Sequence, residues 1–254
     1  MDEKNRFFIE IAYDGSAYHG WQVQPNAISV QEKLNNALKT FLRSDIETIG
    51  AGRTDTGVHA KQLYVHFDSE NPLFSNSPEK AQQSLNALLP YDIAIKRIIP
   101  VHADAHARFD ATSRSYEYHM HIYKNPFLIN KSWQLREVPN VDKMNEAAEK
   151  LLGTKDFSCF SKSNTQVHTN ICTITEAKWI QEGDHFLFKV TADRFLRNMV
   201  RAIVGTLLKI GQHDLPISYI DEVLNSKSRS MAGTSVPAHG LYLTKVVYPY
   251  IEIA

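Results

Sequence analysis

Apolar and polar positions change period along the 254-residue chain, and each period predicts an element. Phe7-Phe8-Ile9-Glu10-Ile11-Ala12-Tyr13 reads as a strand that Asp14-Gly15 stops. Ser29-Val30-Gln31-Glu32 is a capping box, with Ser29 at the N-cap and Glu32 three positions on. Val30, Leu34, Leu38 and Phe41 then recur at helical spacing, so a helix runs to about Leu42. Ile46 to Ile49 and Leu63 to Phe67 read as strands flanking a loop rich in glycine and polar residues. Ser77-Pro78 opens a further helix, with proline at its first position, and that helix ends before Pro90. Ile93 to Ile99 is a short β-prone run.

The second half repeats this order. Tyr116, Tyr118, Met120 and Ile122 alternate with Glu117, His119, His121 and Tyr123, which is strand periodicity. A helix is expected from about Val141 to Leu152, closed by Gly153. Ile171 to Ile180, then Glu182-Gly183-Asp184, then His185 to Ala192 reads as a hairpin. One helix follows from about Leu196 to Ile210, ending at Gly211, and a short one from about Ile217 to Leu224; Leu241 to Val247 closes the sheet. The fold class is α+β: two fused α/β subdomains with largely antiparallel sheets covered by helices. The seam falls near Pro100 to Ala111, which gives subdomains of residues 1–105 and 106–254.

Composition narrows the function classes. Hydrophobic residues make up 43% and charged residues 22%, as in an ordinary globular chain. No apolar run approaches the ~20 residues of a membrane span. No long apolar segment follows Met1 to Arg6, so a secretory signal is not expected and a cytoplasmic protein is. The two cysteines, Cys159 and Cys172, exclude a disulfide scaffold and any zinc site of four thiolates. With 28 basic and 28 acidic residues the net charge is zero, which argues against a nucleic-acid binder unless a basic face is local.

Three stretches carry candidate chemistry. The first is Gly50 to Ala60, with three glycines between Gly50 and Gly57 and with Arg53, Asp55 and His59 among and just after them. Glycine permits close backbone approach, so such a loop suits a polar or anionic ligand, or it is a structural turn. It is no dinucleotide fingerprint, because Asp55 stands at the third glycine position and no helix opens there. A phosphate-binding Gly-Lys-Ser/Thr and a Gly-x-Ser-x-Gly elbow are both missing. Metal binding would have to come from His102, Asp104 and His106 converging from one loop, or from His119 and His121 on one strand face without an alternating carboxylate. Solvated or core histidines are the simpler expectation. The second stretch, His106 to Tyr118, interleaves Arg108 and Arg114 with Tyr116 and Tyr118, a mixture that suits phosphate contact and base stacking. In the third, Arg194 to His213 holds four Lys or Arg residues and no acidic one. Arg194, Arg197 and Arg201 share one side if a single helix includes all three.

Taken in order, these blocks resemble the TruA family of tRNA pseudouridine synthases. The resemblance spans nearly the whole chain. It runs through Tyr13-Asp14-Gly15-Ser16-x-Tyr18-x-Gly20-Trp21-Gln22, Ser29-Val30-Gln31-Glu32, Gly52-Arg53-Thr54-Asp55-x-Gly57-Val58-His59-Ala60 and His106-Ala107-Arg108-Phe109. It continues through the Tyr116/Tyr118 strand, Met199-Val200-Arg201-x-Ile203-Val204-Gly205 and Ala238-His239-Gly240-Leu241-Tyr242-Leu243. Thr56 stands where the family loop usually has Ala.

The resemblance implies the pseudouridine synthase fold, with sheets joined across a central active-site cleft. It implies an isomerase that converts uridine to pseudouridine at positions 38, 39 and 40 of the tRNA anticodon arm. It further implies a homodimer without metal or nucleotide cofactor. Asp55 would be the nucleophile, Arg201 its charge partner, and Tyr116 the tyrosine that packs on the target base. Arg53 would contact RNA near the flipped base, with Arg108, Arg114, Arg197 and His59 as further substrate contacts. Two rivals remain at this point: a non-catalytic RNA-binding protein, and an RNA hydrolase pairing Asp55 with His59.

Overall fold

The structure is a computed structural model that describes residues 5–162, 169–213 and 215–252. They divide into two compact units, one of residues 5–112 with 243–252 and one from Ser113 to Tyr242.

The first unit is built on β1 (Asn5–Tyr13), which has apolar residues on both faces and is therefore covered on both. Helices α1 (Val30–Leu42), α2 (Pro72–Asn76) and α3 (Pro78–Leu88) belong to this unit, as do β2 (Ile49–Gly50), β3 (His59–Ser69) and β4 (Ile93–Val101). β1 pairs antiparallel with β3, Phe7 opposite Phe67, and with β4, Phe8 opposite Ile99. β2 adds to β3, Gly50 opposite Val65. On one face Phe7 and Phe67 pack on Phe74 of α2, which also meets Phe41 of α1. On the other, Phe8 packs against Tyr64, His66, Tyr248 and Tyr250. Glu10 lies there too, buried, and its carboxylate accepts from Gln62, Tyr64 and Arg97. The capping box forms as read: Ser29 Oγ accepts from Glu32 N, and Glu32 Oε2 accepts from Ser29 N.

The second unit places β5 (Ser113–His121) antiparallel to β9 (His185–Ala192), then β8 (Ile171–Glu182), then β7 (Gly153–Asp156). The short β6 (Trp133–Gln134) runs parallel to β5. Helices α4 (Val141–Glu149), α5 (Met199–Gln212) and α6 (Tyr219–Ser226) complete it. The last strand, β10 (Leu241–Val247), starts in this unit, and its residues from Leu243 on lie beside β3 in the first. The sheets are largely antiparallel in mixed α/β units, as the sequence pattern indicates.

Several boundaries differ from the sequence reading. α4 ends at Glu149, not Leu152, because Leu151 and Leu152 donate to Ala148 and Glu149 and so close a tighter final turn. Gly153, at φ +88°, opens β7 and does not cap the helix. α5 begins at Met199, not Leu196, because Asn198 sits at φ 67°, outside the helical region. It also runs through Gly211, where a Cβ would come within 2.7 Å of Met144 Cγ; glycine there allows α4 and α5 to approach. α6 lies two residues later than expected, and α2 was not expected from the pattern. The unit boundary lies after Thr112, where the sequence reading has residue 105: Tyr248 and Tyr250 bond Ala107 and Asp110, and the chain end thereby holds 106–112 in the first unit.

Candidate active site

The glycine loop between β2 and β3 is fastened largely by backbone. Trp21 N donates to Thr54 O at 3.2 Å, Gly57 N to Tyr18 O at 3.3 Å, and Ala51 N to Tyr64 O at 2.8 Å. Tyr13 and Thr54 share a hydroxyl–hydroxyl bond of 2.8 Å. This proximity depends on glycine: a Cβ on Gly20, itself at φ +87°, would lie 2.3 Å from Thr54 O, and one on Gly15 would lie 2.0 Å from Val58 O. The segment from Tyr13 to Trp21 is thus a tight cradle for the loop. Within it Thr54 is buried, Asp55 is partly exposed and Arg53 is exposed, so the acid and the base are held at the surface by a rigid backbone. Val58 N closes a turn on Asp55 O at 3.1 Å, which fixes the backbone on either side of the carboxylate.

His59 has a different environment from the other loop residues. It is 2% exposed, and the Gly15 N–H points at its Nδ1 from 3.0 Å. Asp14 Oδ1 lies 3.0 Å from the same nitrogen and accepts from Ser16 N and Oγ. The ring therefore joins the loop to the 14–16 turn. Arg108, the remaining first-unit candidate, is exposed, with its guanidinium 5.8 Å from the Phe109 ring centroid.

The second unit holds Arg114, Tyr116, Arg197 and Arg201. Tyr116 and Tyr118 share a face of β5 but not an environment. Tyr118 is fully buried, its hydroxyl donates to Pro237 O at 2.8 Å, and burial pushes its pKa far above that of a free phenol. Tyr116 is partly exposed and sits edge-on to Phe195, with centroids 5.0 Å apart. Arg114 donates to Asp193 O at 2.8 Å.

Arg194, Arg197 and Arg201 do not form one helical stripe. Only Arg201 lies on α5; the other two precede it because Asn198 turns the chain. Arg197 is exposed, and its carbonyl accepts from Lys162 N. Arg201 is clamped: its Nε donates to Val236 O at 2.7 Å while Val236 N donates back to Arg201 O at 3.2 Å. The clamp has a base of its own. Gly205 and the 233–234 backbone touch so closely that a Cβ on Gly205 would lie 1.9 Å from Thr234 O. Gly233 N donates to Thr206 Oγ1, and Ser235 Oγ accepts from both Asn198 Nδ2 and Arg229 Nη2. Asn198 and Ser235 were not legible beside Arg201, since nothing in local sequence announces a contact between positions 37 residues apart.

Residues 10–110 and 147–249 match the family described as tRNA pseudouridine synthase, so the chain belongs to that family of isomerases. Its relatives agree over nearly full length. It is 50% identical over 246 residues to tRNA pseudouridine synthase A of Bacteroides fragilis, covering 96% of each chain. It is 49% identical over 249 residues to that of Porphyromonas gingivalis, covering 96% of this chain and 97% of the relative. It is 38% identical over 249 residues to that of Bacillus licheniformis, covering 96% and 99%.

Proposed function

We propose that this chain converts uridine to pseudouridine at positions 38, 39 and 40 of the tRNA anticodon arm, with Asp55 as the nucleophile. The observation that carries the assignment of Asp55 is its setting: a partly exposed carboxylate on a loop whose backbone is fixed from both sides. A nucleophile gains most from being held in place before substrate arrives.

The reaction is balanced without a redox partner or cofactor. The N1–C1′ bond breaks, C5 bonds to C1′, C5 loses a proton and N1 gains one. Asp55 attacks the uracil ring or the sugar to carry the base through its rotation. Arg201 offsets the cost of placing that carboxylate in a base pocket. Tyr116 packs on the target base and assists loss of the C5 proton. A base in a stem must leave the stack to reach such a pocket, at a cost of a few kcal/mol. Contacts from Arg53, Arg108, Arg114 and Arg197 to phosphate offset that cost. The enzyme acts in the cytoplasm as a homodimer, one copy holding the tRNA body while the other performs chemistry. Exposed Tyr123, Phe127 and Ile129 support self-association.

A hydrolase pairing Asp55 with His59 is disfavoured by the buried, engaged ring of His59. The test is to map modification on unmodified tRNA transcripts with a carbodiimide that marks pseudouridine and stops reverse transcription. Stops at 38, 39 or 40 with wild type and none with Asp55→Asn are expected. Stops elsewhere, or cleavage of the strand, would refute the assignment.

A further inference from the structure

The loop of residues 105–110 in the first unit is anchored by hydrogen bonds within it and to His66, Tyr248 and Tyr250. His106 N donates to Asp110 Oδ2 at 2.7 Å, and Asp110 N to His106 O at 3.1 Å. Arg108 N and Phe109 N both donate to His106 Nδ1, at 3.1 and 3.3 Å. Ala107 N donates to the Nδ1 of His66 at 3.1 Å. The Tyr250 hydroxyl donates to Asp110 Oδ2 at 2.7 Å, and that of Tyr248 donates to Ala107 O. Ala105 and Ala107 are fully buried.

These anchors face inward, and they hold an aromatic ring outward. Phe109 is 74% exposed. Its ring is nonetheless seated: the His106 ring lies under it with centroids 4.2 Å apart and 31° between planes, and the Arg108 guanidinium is 5.8 Å from its centroid. A large apolar side chain left in water on a rigid loop adds little to the stability of the unit. A held aromatic face beside a guanidinium does match one ligand chemistry well, a nucleotide, whose base stacks and whose phosphate takes the cation.

We propose that Arg108 and Phe109 form a nucleotide-binding hook for an unpaired base of the RNA substrate, with Phe109 stacking on the base and Arg108 meeting its phosphate. His66 and His106 are the positioning residues that keep the hook extended. The proposal rests on the reading that the substrate is RNA, and it adds Phe109 to the residues that bind it.

The test uses the full chain and a fluorescein-labelled tRNA transcript with uridine at position 39. Phe109→Ala should weaken binding about 10-fold or more, the effect of losing one base–aromatic stack. Phe109→Trp should bind as wild type does, and its added indole fluorescence should be quenched as unlabelled transcript is titrated in. Arg108→Gln should lower the salt dependence of binding by about one ion. Unchanged affinity in Phe109→Ala together with no quenching in Phe109→Trp would overturn the hook. So would a Phe109→Ala variant that alters sedimentation but not RNA affinity, which would assign the ring to a protein contact. Failure of wild type itself to bind or modify the transcript would instead remove the RNA reading on which the hook depends.

Discussion

At the scale of single residues, two glycines separate chemistry from stability. Gly20 at φ +87° faces Thr54 O, in the cradle of the Asp55 loop. Alanine there costs about 1–2 kcal/mol for the backbone conformation alone, and its Cβ pushes on the loop. Gly20→Ala should therefore lower kcat by about 10-fold or more while the protein still folds, measured as turnover beside a thermal melt. Gly205 has ordinary backbone, but its Cβ would strike Thr234 O. Gly205→Ala should lower stability by about 1–3 kcal/mol, the usual cost of overpacking, read from urea unfolding. A Gly205→Ala variant as stable as wild type would show that the 233–236 strap yields easily, and Arg201 would then lack a firm clamp.

At the scale of elements, β3 links core and site through His66. Burial pushes its pKa down to about 4 from 6.5; His106 and Arg6 add to this, and Asp68 and Asp110 oppose it. Its Nδ1 accepts the Ala107 N–H, so the folded state needs the neutral ring. The sign follows: between pH 6.5 and about 4 the unfolded chain binds a proton that the folded chain refuses, so stability falls as pH falls through that window. His66→Asn, which keeps an acceptor and cannot titrate, should flatten the fall, as thermal melts at pH 4.5 and 7 would reveal. An equal acid loss in both proteins would place the effect elsewhere.

The same scale shows what was legible in sequence. β1, α1, α3 and the β8–β9 hairpin follow from periodicity and caps, because those signals are local. The start of α5 did not, since an Asn in left-handed backbone is held there by Ser235, far along the chain. The expected start at about Leu196 therefore put Arg197 on the helix, where the structure leaves it before Met199. His59 is a substrate contact only by the resemblance; its burial comes from packing against the folded 14–16 turn, which local sequence does not announce. Arg53 and Asp55 stood out in the glycine loop and Arg201 in the basic stretch, but their catalytic and RNA-contacting roles come only from the motif blocks taken together.

At the scale of the whole molecule, a neutral chain must bind a polyanion through local charge. In the proposed function the four basic residues from Arg194 to Lys209, with Arg53, Arg108 and Arg114, would supply it without any excess in total. Sedimentation at micromolar concentration should give twice the 28.9 kDa of one chain. A monomer that retains full turnover would contradict the division of labour between copies.

Release of tritium from C5 of uridine in tRNA transcripts tests the central claim most directly, because forming the C5–C1′ bond must expel that hydrogen while binding or strand cleavage need not. Wild type should release it. Asp55→Asn should release none while binding the transcript within about a few-fold of wild type, since it lacks a catalytic group and not a phosphate contact. Tight binding by wild type without release, or release undiminished in Asp55→Asn, would contradict the assignment of Asp55 as the nucleophile of an isomerase.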